Sequence, residues 1–166
     1  FFGQFDRDKD GSLTETEYES IRKVFGSARD AVLCIRPGGV GDVTATHVAW
    51  EYAKTVPRNS SPLWAGHRLF LVKDGGILTC LDTKTGAITK QGRLSIRGKF
   101  YSSPVSGDGK IYLISERGQL CVVSADAQWQ EVATADFGED VYATPAIADG
   151  RIYIRTVGHL YCFGLK

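Results

Sequence analysis

The sequence contains no methionine, no marked excess of either charge and no long apolar run. Its 20 Lys and Arg residues balance 19 Asp and Glu residues, which leaves a formal net charge of +1. Nothing in that charge favours nucleic acid or an anionic membrane surface. No apolar stretch reaches the roughly 18 to 20 residues that a membrane helix requires. We therefore expect neither a nucleic-acid partner nor a membrane span.

The chain begins Phe1-Phe2-Gly3 and lacks methionine, so we expect further sequence upstream, including any signal peptide or lipid anchor. A C-x-x-C pair is also absent, as is the cysteine density of a disulfide-rich domain. The four cysteines recur at similar places in a repeat described below, which favours small buried apolar residues over redox or metal chemistry. They are Cys34, Cys80, Cys121 and Cys162.

Acidic residues are concentrated at residues 6–17, where the chain matches the calcium-loop pattern D-x-[DN]-x-[DN]-G-x5-E at every specified position. Calcium takes six to eight oxygen ligands, and this spacing wraps them around one ion. Gly11 permits the sharp turn that the loop requires. The predicted calcium ligands are the carboxylates of Asp6, Asp8, Asp10 and Glu17, the backbone carbonyl of Ser12, and Thr14 either directly or through water.

Apolar residues flank this loop at helical spacing, as in the helix-loop-helix of an EF-hand. Phe2 and Phe5 would end an entering helix, and a second helix would begin near Thr14. The competing interpretation is a solvated acidic turn that caps the second helix, but three clustered carboxylates without a cation would repel one another. EF-hands usually work in pairs, and a second loop is not visible in the sequence.

After residue 30 the chain changes to short β-rich segments that repeat about every forty residues. A Ser or Thr followed by proline recurs at Pro62, Pro104 and Pro145, at intervals of 42 and 41 residues. Glycines at 76, 118 and 158 follow the same period. Each unit contains the inner [ST]-Pro strand, two further strands separated by Gly or Asp turns, and a variable fourth strand. Four strands in about 40 to 45 residues is typical of a blade in a β-propeller, including WD40-like ones.

A partial unit precedes these three, because residues 32–35 and 48–52 resemble only the third and fourth strands of a blade. We therefore predict a mainly β chain, a partial β-propeller of about three to four four-stranded blades preceded by a helix-loop-helix EF-hand. The predicted boundaries are 1–28 for the EF-hand segment, as an insertion in a blade, and 29–166 for the propeller. Within the propeller we predict a partial blade at 29–58 and blades at about 59–98, 99–140 and 141–166.

The repeat units resemble the PQQ-like (quinoprotein-like) repeat of bacterial propeller proteins. The segment from Cys80 to Gly86 is similar to the A-x-D-x-x-T-G core of that repeat, and residues 101–105 and 143–153 resemble its [ST]-Pro strand and the following turn. The resemblance implies a periplasmic or otherwise extracytoplasmic protein. Three and a half blades cannot close the ring of seven or eight usual in that family, so we expect protein partners or the rest of the propeller to complete it.

This sequence departs from the family pattern at two places. The tryptophan usual four residues after Thr-Gly is replaced by Lys90, although the partial first unit carries Trp50 in its closing strand. In the third unit Ser124 stands where the family has Asp. Such drift weakens the tryptophan-docking contacts of quinoprotein enzymes and disfavours PQQ as a cofactor.

These features predict a non-enzymatic calcium-binding propeller that serves as a scaffold or protein-interaction module. The alternative is the propeller part of a larger enzyme, either a PQQ-dependent dehydrogenase or a protein with an upstream catalytic domain. The sequence has neither a nucleophile elbow nor a phosphate-binding loop. The isolated histidines are interpreted as surface or core residues, and the basic cluster as a solvated inter-blade loop. These residues are His47, His67, His159, and Arg93, Arg97 and Lys99.

Overall fold

The computed structural model describes residues 5–27 and 29–164 and divides the chain into two compact units, residues 1–30 and 31–166. The first unit contains the acidic loop and helix α1 (Glu15–Ser27). Thr14 begins this helix with a reciprocal pair of hydrogen bonds: its backbone N–H donates to the Glu17 carboxylate, and its hydroxyl accepts the backbone N–H of Glu17. This capping box satisfies donors that the first helical turn leaves free.

The helix expected before the loop falls mainly on residues 1–4, Phe2 among them, which lie outside the described residues. Phe5 is described and forms part of a turn. The side chains of Val24 and Phe25, expected to extend the apolar face of α1, also lie outside the described part. The placement of this unit as an insertion in a blade stays a prediction.

The second unit consists of antiparallel sheets with strands in sequential order. The first sheet, sheet A, is two-stranded and contains β1 (Val32–Ile35) and β2 (Val48–Tyr52), with a short helix α2 (Thr44–His47) between them. Sheet B contains β3 (Leu63–Ala65), β4 (Arg68–Lys73), β5 (Ile77–Asp82) and β6 (Ile88–Arg93). Sheet C contains β7 (Val105–Gly107), β8 (Lys110–Ile114), β9 (Gln119–Ser124) and β10 (Glu131–Asp136). Sheet D contains β11 (Ala146–Ala148), β12 (Arg151–Arg155) and β13 (Leu160–Gly164).

Local sequence explains where these strands begin and turn. Pro62, Pro104 and Pro145 each stand one residue before the first strand of a sheet, where a missing N–H costs no ladder bond. The next turn has two residues with positive φ in all three sheets, the combination that type I′ hairpins require. These pairs are Gly66 and His67, Asp108 and Gly109, and Asp149 and Gly150.

The first strands of the three sheets lie side by side, because β7 contacts both β3 and β11. Two hydrogen bonds of the same kind join the segments that lead into them. The backbone N–H of Ser61 donates to the Ser103 hydroxyl at 2.9 Å, and the N–H of Ser103 donates to the Thr144 hydroxyl at 3.0 Å. The sheets therefore follow one another around their inner strands, which confirms the predicted mainly β, partial-propeller fold.

Apolar side chains between adjacent sheets form the core. The largest cluster joins sheets B and C, and it includes Phe70, Leu78, Ile111, Leu113 and Trp129. Smaller clusters join sheet B to the two-stranded sheet and sheet C to sheet D. No helix among the described residues is long and apolar enough to cross a membrane.

The expectation of four buried cysteines is confirmed for two of them only. Cys80 and Cys121 are buried, Cys34 is half-buried and Cys162 is exposed. Cys162 lies between Tyr161 and Phe163 on β13, and those two side chains line the space facing sheet C. Because side chains alternate along a strand, Cys162 points to the opposite face, where no described sheet covers it. The prediction of a buried thiol was wrong for Cys162, because the burial of a strand residue depends on whether another sheet packs on its face.

Candidate functional site

The acidic loop bends sharply at two residues with left-handed backbone conformation, Lys9 with φ of 59° and Gly11 with φ of 85°. Side-chain carboxylates hold this bend by accepting backbone N–H groups. The Asp6 carboxylate accepts the N–H of Asp10 at 3.1 Å and that of Gly11 at 3.0 Å. The Asp10 carboxylate accepts the N–H of Ser12 at 2.7 Å. The loop conformation is therefore set locally by the same aspartates that were predicted to bind calcium.

Three of the predicted ligands come together in the structure. Carboxylate oxygens of Asp6, Asp8 and Asp10 all lie within 4.8 Å of one another. Asp6 is only 6% exposed, whereas Asp8 and Asp10 are open to solvent. The cluster thus has one shielded carboxylate at its base and two accessible ones.

Glu17 is buried but lies outside this cluster of three. One of its carboxylate oxygens accepts the backbone N–H of Arg7 at 2.6 Å, and the other accepts the backbone N–H and the hydroxyl of Thr14 at 2.9 and 2.8 Å. These bonds tie the two ends of the loop together. The side chain of Thr14 is likewise engaged with Glu17. The structure therefore gathers the three aspartates and places Glu17 and Thr14 in a cap beside them.

The electrostatics of the loop differ between the cluster and the cap. The hydrogen bond from the Asp10 backbone lowers the pKa of Asp8, yet the pKa ends above its ordinary value. Desolvation, the negative charge of Asp10 and a side-chain hydrogen bond with Asp6 raise it by more. Hydrogen bonds from the backbone of Thr14 and then of Arg7 hold the pKa of Glu17 below its ordinary value. The ionised form of Asp8 is therefore disfavoured beside its acidic neighbours, whereas Glu17 is stabilised as a carboxylate.

The donor set of the loop fits a hard cation. Carboxylate, carbonyl and hydroxyl oxygens are the ligands that calcium prefers, and an ion among the three aspartates would relieve their mutual repulsion. For Glu17 to join such a shell with both oxygens, one oxygen would have to leave the N–H of Arg7 and the other the N–H and hydroxyl of Thr14. The loop is therefore compatible with calcium, and completing a six-ligand shell requires a rearrangement at Glu17.

A second group of contacts holds adjacent sheets together at their outer strands. The Asp82 carboxylate accepts the backbone N–H and the hydroxyl of Thr85, both at 2.9 Å, and so forms the turn between β5 and β6. Trp50 docks on that turn: its indole N–H donates to the Thr83 carbonyl at 2.9 Å. A Cβ on Gly86 would come within 2.7 Å of the indole ring. Glycine is therefore required there because the tryptophan ring covers it.

Lys90, which replaces the tryptophan expected in the next unit, makes the corresponding contact in a different way. Its ammonium donates to the backbone carbonyls of Gln128 and Trp129, in the turn between β9 and β10. The same ammonium lies 4.4 Å from the centroid of the Trp129 ring. The docking contact is thus retained with a cation in place of an aromatic ring.

One polar cluster was not found from the sequence. The Glu139 carboxylate accepts the Thr156 hydroxyl at 2.5 Å and the Gly158 N–H at 3.0 Å, and its other oxygen lies 2.6 Å from Nδ1 of His159. The Thr156 hydroxyl is the main cause of a lowered pKa of Glu139. These residues join the segment before β11 to the turn between β12 and β13. His159, isolated in sequence, is therefore part of an inter-strand clasp.

The remaining basic and imidazole side chains mostly contact the protein itself. Arg93 donates to the Gly75 carbonyl at 3.0 Å, and Arg97 donates to the Leu94 carbonyl. His47 lies 2.7 Å from the Thr46 hydroxyl, and the ring of His67 packs edge-on against Trp64. All three side chains of the basic cluster are exposed, but Arg93 lies on β6, so only Arg97 and Lys99 belong to the segment between sheets B and C.

No family model matches this sequence, and no curated protein does. Several solved structures do resemble the chain. BamB from Moraxella catarrhalis matches 70% of this chain with a TM-score of 0.59 and 17% identity. A quinohemoprotein alcohol dehydrogenase from Pseudomonas putida HK5 matches 70% with a TM-score of 0.54 and 15% identity. The computationally designed Ika8 protein matches 63% with a TM-score of 0.51 and 10% identity.

The match covers only part of these proteins, 36% of the BamB chain, 20% of the dehydrogenase chain and 32% of Ika8. At such low identity the similarity establishes the fold alone. Three observations indicate the same architecture. The sheets follow one another around their inner strands, the outer strands dock on the next sheet, and the structural neighbours have a similar fold. The sheets of the second unit therefore have the fold of part of a β-propeller, similar to those of BamB and of the quinohemoprotein alcohol dehydrogenase.

Proposed function

We propose that this chain is a non-enzymatic, calcium-binding β-propeller scaffold or protein-interaction module that acts outside the cytoplasm. The observation that carries the calcium part is the gathering of Asp6, Asp8 and Asp10 within 4.8 Å in a loop of EF-hand spacing. The propeller fold supports the scaffold part. The extracytoplasmic location follows from the sequence resemblance and is supported by the fold similarity to BamB and to the dehydrogenase.

In this proposal the three aspartates, the Ser12 carbonyl, Thr14 and Glu17 hold the ion. Calcium supplies positive charge that compensates the clustered carboxylates, and it fixes the loop ahead of helix α1. Glu17 would hold the ion in place of its bonds to Arg7 and Thr14, so the loop would respond to calcium at the position where the helix begins.

The test is a calorimetric calcium titration of the wild type beside Asp8→Asn and Glu17→Gln. Each variant removes one ligand charge and keeps the side-chain volume, so we expect the affinity to fall by at least tenfold. Asp149→Asn is the matched control, because Asp149 is an exposed turn residue with φ of 50° outside the loop and Asn tolerates that conformation. Binding that is absent from the wild type, or equal in all four proteins, would contradict the calcium proposal.

A second candidate function is a segment of a PQQ-dependent dehydrogenase, and the fold similarity to the P. putida enzyme favours it. The two proposals differ in a direct assay. The protein is mixed with PQQ and calcium, and the reduction of an artificial electron acceptor is followed with primary alcohols as substrates. We expect no alcohol-dependent reduction, and a rate that requires both PQQ and alcohol would replace the scaffold proposal with the enzyme.

A further inference from the structure

Two tyrosines occupy equivalent places in successive repeats of the propeller. Tyr101 and Tyr142 each stand three residues before the proline that leads into the first strand, at Pro104 and Pro145. Both are exposed, by 38% and 54%. The same place in the preceding repeat is Asn59, which shows that the fold itself does not need an aromatic ring there. Single exposed aromatics are ordinary on protein surfaces, but a pair of them in contact is a candidate binding surface.

The structure brings the two rings together and holds their backbone firmly. The ring centroids are 5.6 Å apart with the planes tilted by 57°. Each tyrosine follows a fully buried residue, Phe100 or Val141, that anchors it in the core. The N–H of Ser103 also donates to the Thr144 hydroxyl and ties the two segments together. The rings are therefore preorganised, so a partner would meet little ordering cost on binding.

Two carboxylates, those of Asp140 and Glu116, act on Tyr142 of this pair. The Tyr142 hydroxyl donates to the Asp140 carboxylate at 3.2 Å. The pKa of Tyr142 is raised by the charge of Asp140 and its hydrogen bond, then by desolvation and by the charge of Glu116. Among the described residues neither carboxylate forms an ion pair with a Lys or Arg side chain. The surface therefore combines aromatic faces with negative charge that no basic side chain of the described chain neutralises.

We propose that Tyr101, Tyr142, Asp140 and Glu116 form a docking surface, the tyrosine patch, for an arginine or lysine side chain of a partner protein. A cation is attracted to an aromatic face and to nearby carboxylates at the same time. The rings contact each other, so the cation lies over their open faces and not between them. This proposal deepens the interaction role proposed above and rests on it, but it does not depend on calcium.

Nearby basic side chains do not supply the cation themselves. The guanidinium of Arg97 is engaged with the Leu94 carbonyl. Lys99 contributes its backbone N–H to the Glu116 carboxylate at 3.2 Å, and neither Lys99 nor Arg117 forms an ion pair with a carboxylate of the patch in the described structure. A neutral ligand such as a sugar would stack on the rings and could donate hydrogen bonds to the carboxylates, but it would leave their negative charge without a counter-charge. A cationic side chain supplies that charge as well as the contact with the rings.

The test compares two probes of nearly the same shape, N-acetyl-arginine amide and its neutral isostere N-acetyl-citrulline amide. Each is titrated into the chain, and the ring-proton resonances of the tyrosines are followed by NMR. We expect the arginine probe to shift the signals of Tyr101 and Tyr142, with a Kd at least tenfold lower than that of the citrulline probe. Added salt should weaken the arginine binding, because Asp140 is exposed and Glu116 is only partly buried. Equal binding of the two probes would overturn the proposal in favour of a neutral-ligand surface.

Substitutions locate the binding. Tyr142→Leu and Asp140→Asn should each raise the Kd of the arginine probe by about two- to fivefold, the effect expected for one exposed cation–π contact or one exposed charge. Tyr18→Leu is the matched control, since Tyr18 is an exposed tyrosine on helix α1. An unchanged Kd in both patch variants would overturn the proposal. If Tyr142→Leu lowers the melting temperature, the Asp140→Asn comparison and the two wild-type titrations still decide it.

Failure of this proposal is distinguishable from failure of the proposed function. The calcium titration reports on residues 6–17, and the probe titration reports on the tyrosine patch. If the calcium titration gives the expected heat but the arginine probe does not bind, the tyrosine-patch proposal fails and the calcium proposal stands. If the arginine probe binds but the calcium titration gives no heat, the tyrosine-patch proposal stands and the calcium proposal fails.

Discussion

The interface between sheets B and C and the interface between sheets C and D are built from the same repeat, yet they are packed very differently. Twelve buried residues fill the first, including Trp129, which is 4% exposed. The second has a buried core of Ile114, Val141 and Ile154, and a cavity of about 960 Å³ beside it. Repeated sequence therefore specifies the strands without specifying how tightly neighbouring sheets pack.

The difference has an identifiable source in the outer part of each interface. Sheet C provides a turn after β9 that carries Trp129 onto Gly92 of β6, where the indole closes the space against sheet B. In the described residues sheet D ends at β13, and its aromatic side chains Tyr161 and Phe163 line the cavity. A propeller blade thus depends on the third-to-fourth strand turn of its neighbour for its final packing.

The largest expected contrast is in thiol reactivity. Cys121 is buried in the first interface and burial raises its pKa to about 12, whereas Cys162 is exposed on β13. The thiolate is the reactive form, so we expect Cys162 to be alkylated at least about a thousandfold faster at pH 8. Peptide mapping by mass spectrometry measures both rates in one sample. In denaturant the rates should become equal, and equal rates in the native protein would show that the first interface is not closed.

The next contrast is in the free energy of unfolding on truncating equivalent isoleucines. Ile111 on β8 is fully buried against sheet B, and Ile152 stands at the same place on β12 and lines the cavity. We expect Ile111→Ala to cost about 3 kcal/mol and Ile152→Ala about 1 kcal/mol, because a truncation beside existing space loses fewer contacts. Denaturant titration measures both. Equal losses would mean that the two interfaces are equally packed, contrary to the structure.

The smallest contrast is at two glycines that lack positive φ. A Cβ on Gly92 would meet the Trp129 ring at 3.0 Å, and one on Gly107 would meet the terminal Cδ1 of Ile147 at 3.1 Å. Trp129 is buried and cannot yield, whereas Ile147 is 39% exposed and its end can rotate away. We expect Gly92→Ala to lower the free energy of unfolding by about 1 kcal/mol and Gly107→Ala to raise it by about 0.5 kcal/mol. Melting temperatures of the two variants check the sign, and stabilisation by both would place the indole further from β6.

The strands and their turns were predictable because their signals are local. The prolines and the two-residue turns act within a few residues and therefore predicted where each sheet begins. The turn glycines at 76 and 118 were also visible, but their reason was not: a Cβ there would lie 2.4 Å from the Ile96 carbonyl oxygen and 2.1 Å from that of Glu139. Helix α2 was missed, since residues 44–47 follow a glycine-rich loop and carry no helical periodicity long enough to detect.

The candidate calcium site also has a part that the sequence predicted and a part that it did not. The spacing of the aspartates predicted a shared site, and the structure gathers them, because residues two apart in a tight loop cannot separate far. The position of Glu17 was not predictable from spacing, since the N–H groups of Arg7 and Thr14 compete with an ion for its carboxylate. The clasp of Glu139 and His159 could not be seen in the sequence, because its members are 20 residues apart and meet only when the segment before β11 packs against the turn between β12 and β13.

The sequence by itself determined the repeat, the order of the strands, the turn conformations and the set of carboxylates that a cation would find. The strand, turn and loop signals depend on backbone preferences and spacings that act locally along the chain, and the repeat is their recurrence. Only the tertiary structure decided which equivalent positions are buried, which thiol is exposed and which tyrosines meet. These outcomes depend on which residues the neighbouring sheet places opposite a side chain. The local sequence around a residue does not specify those distant contacts.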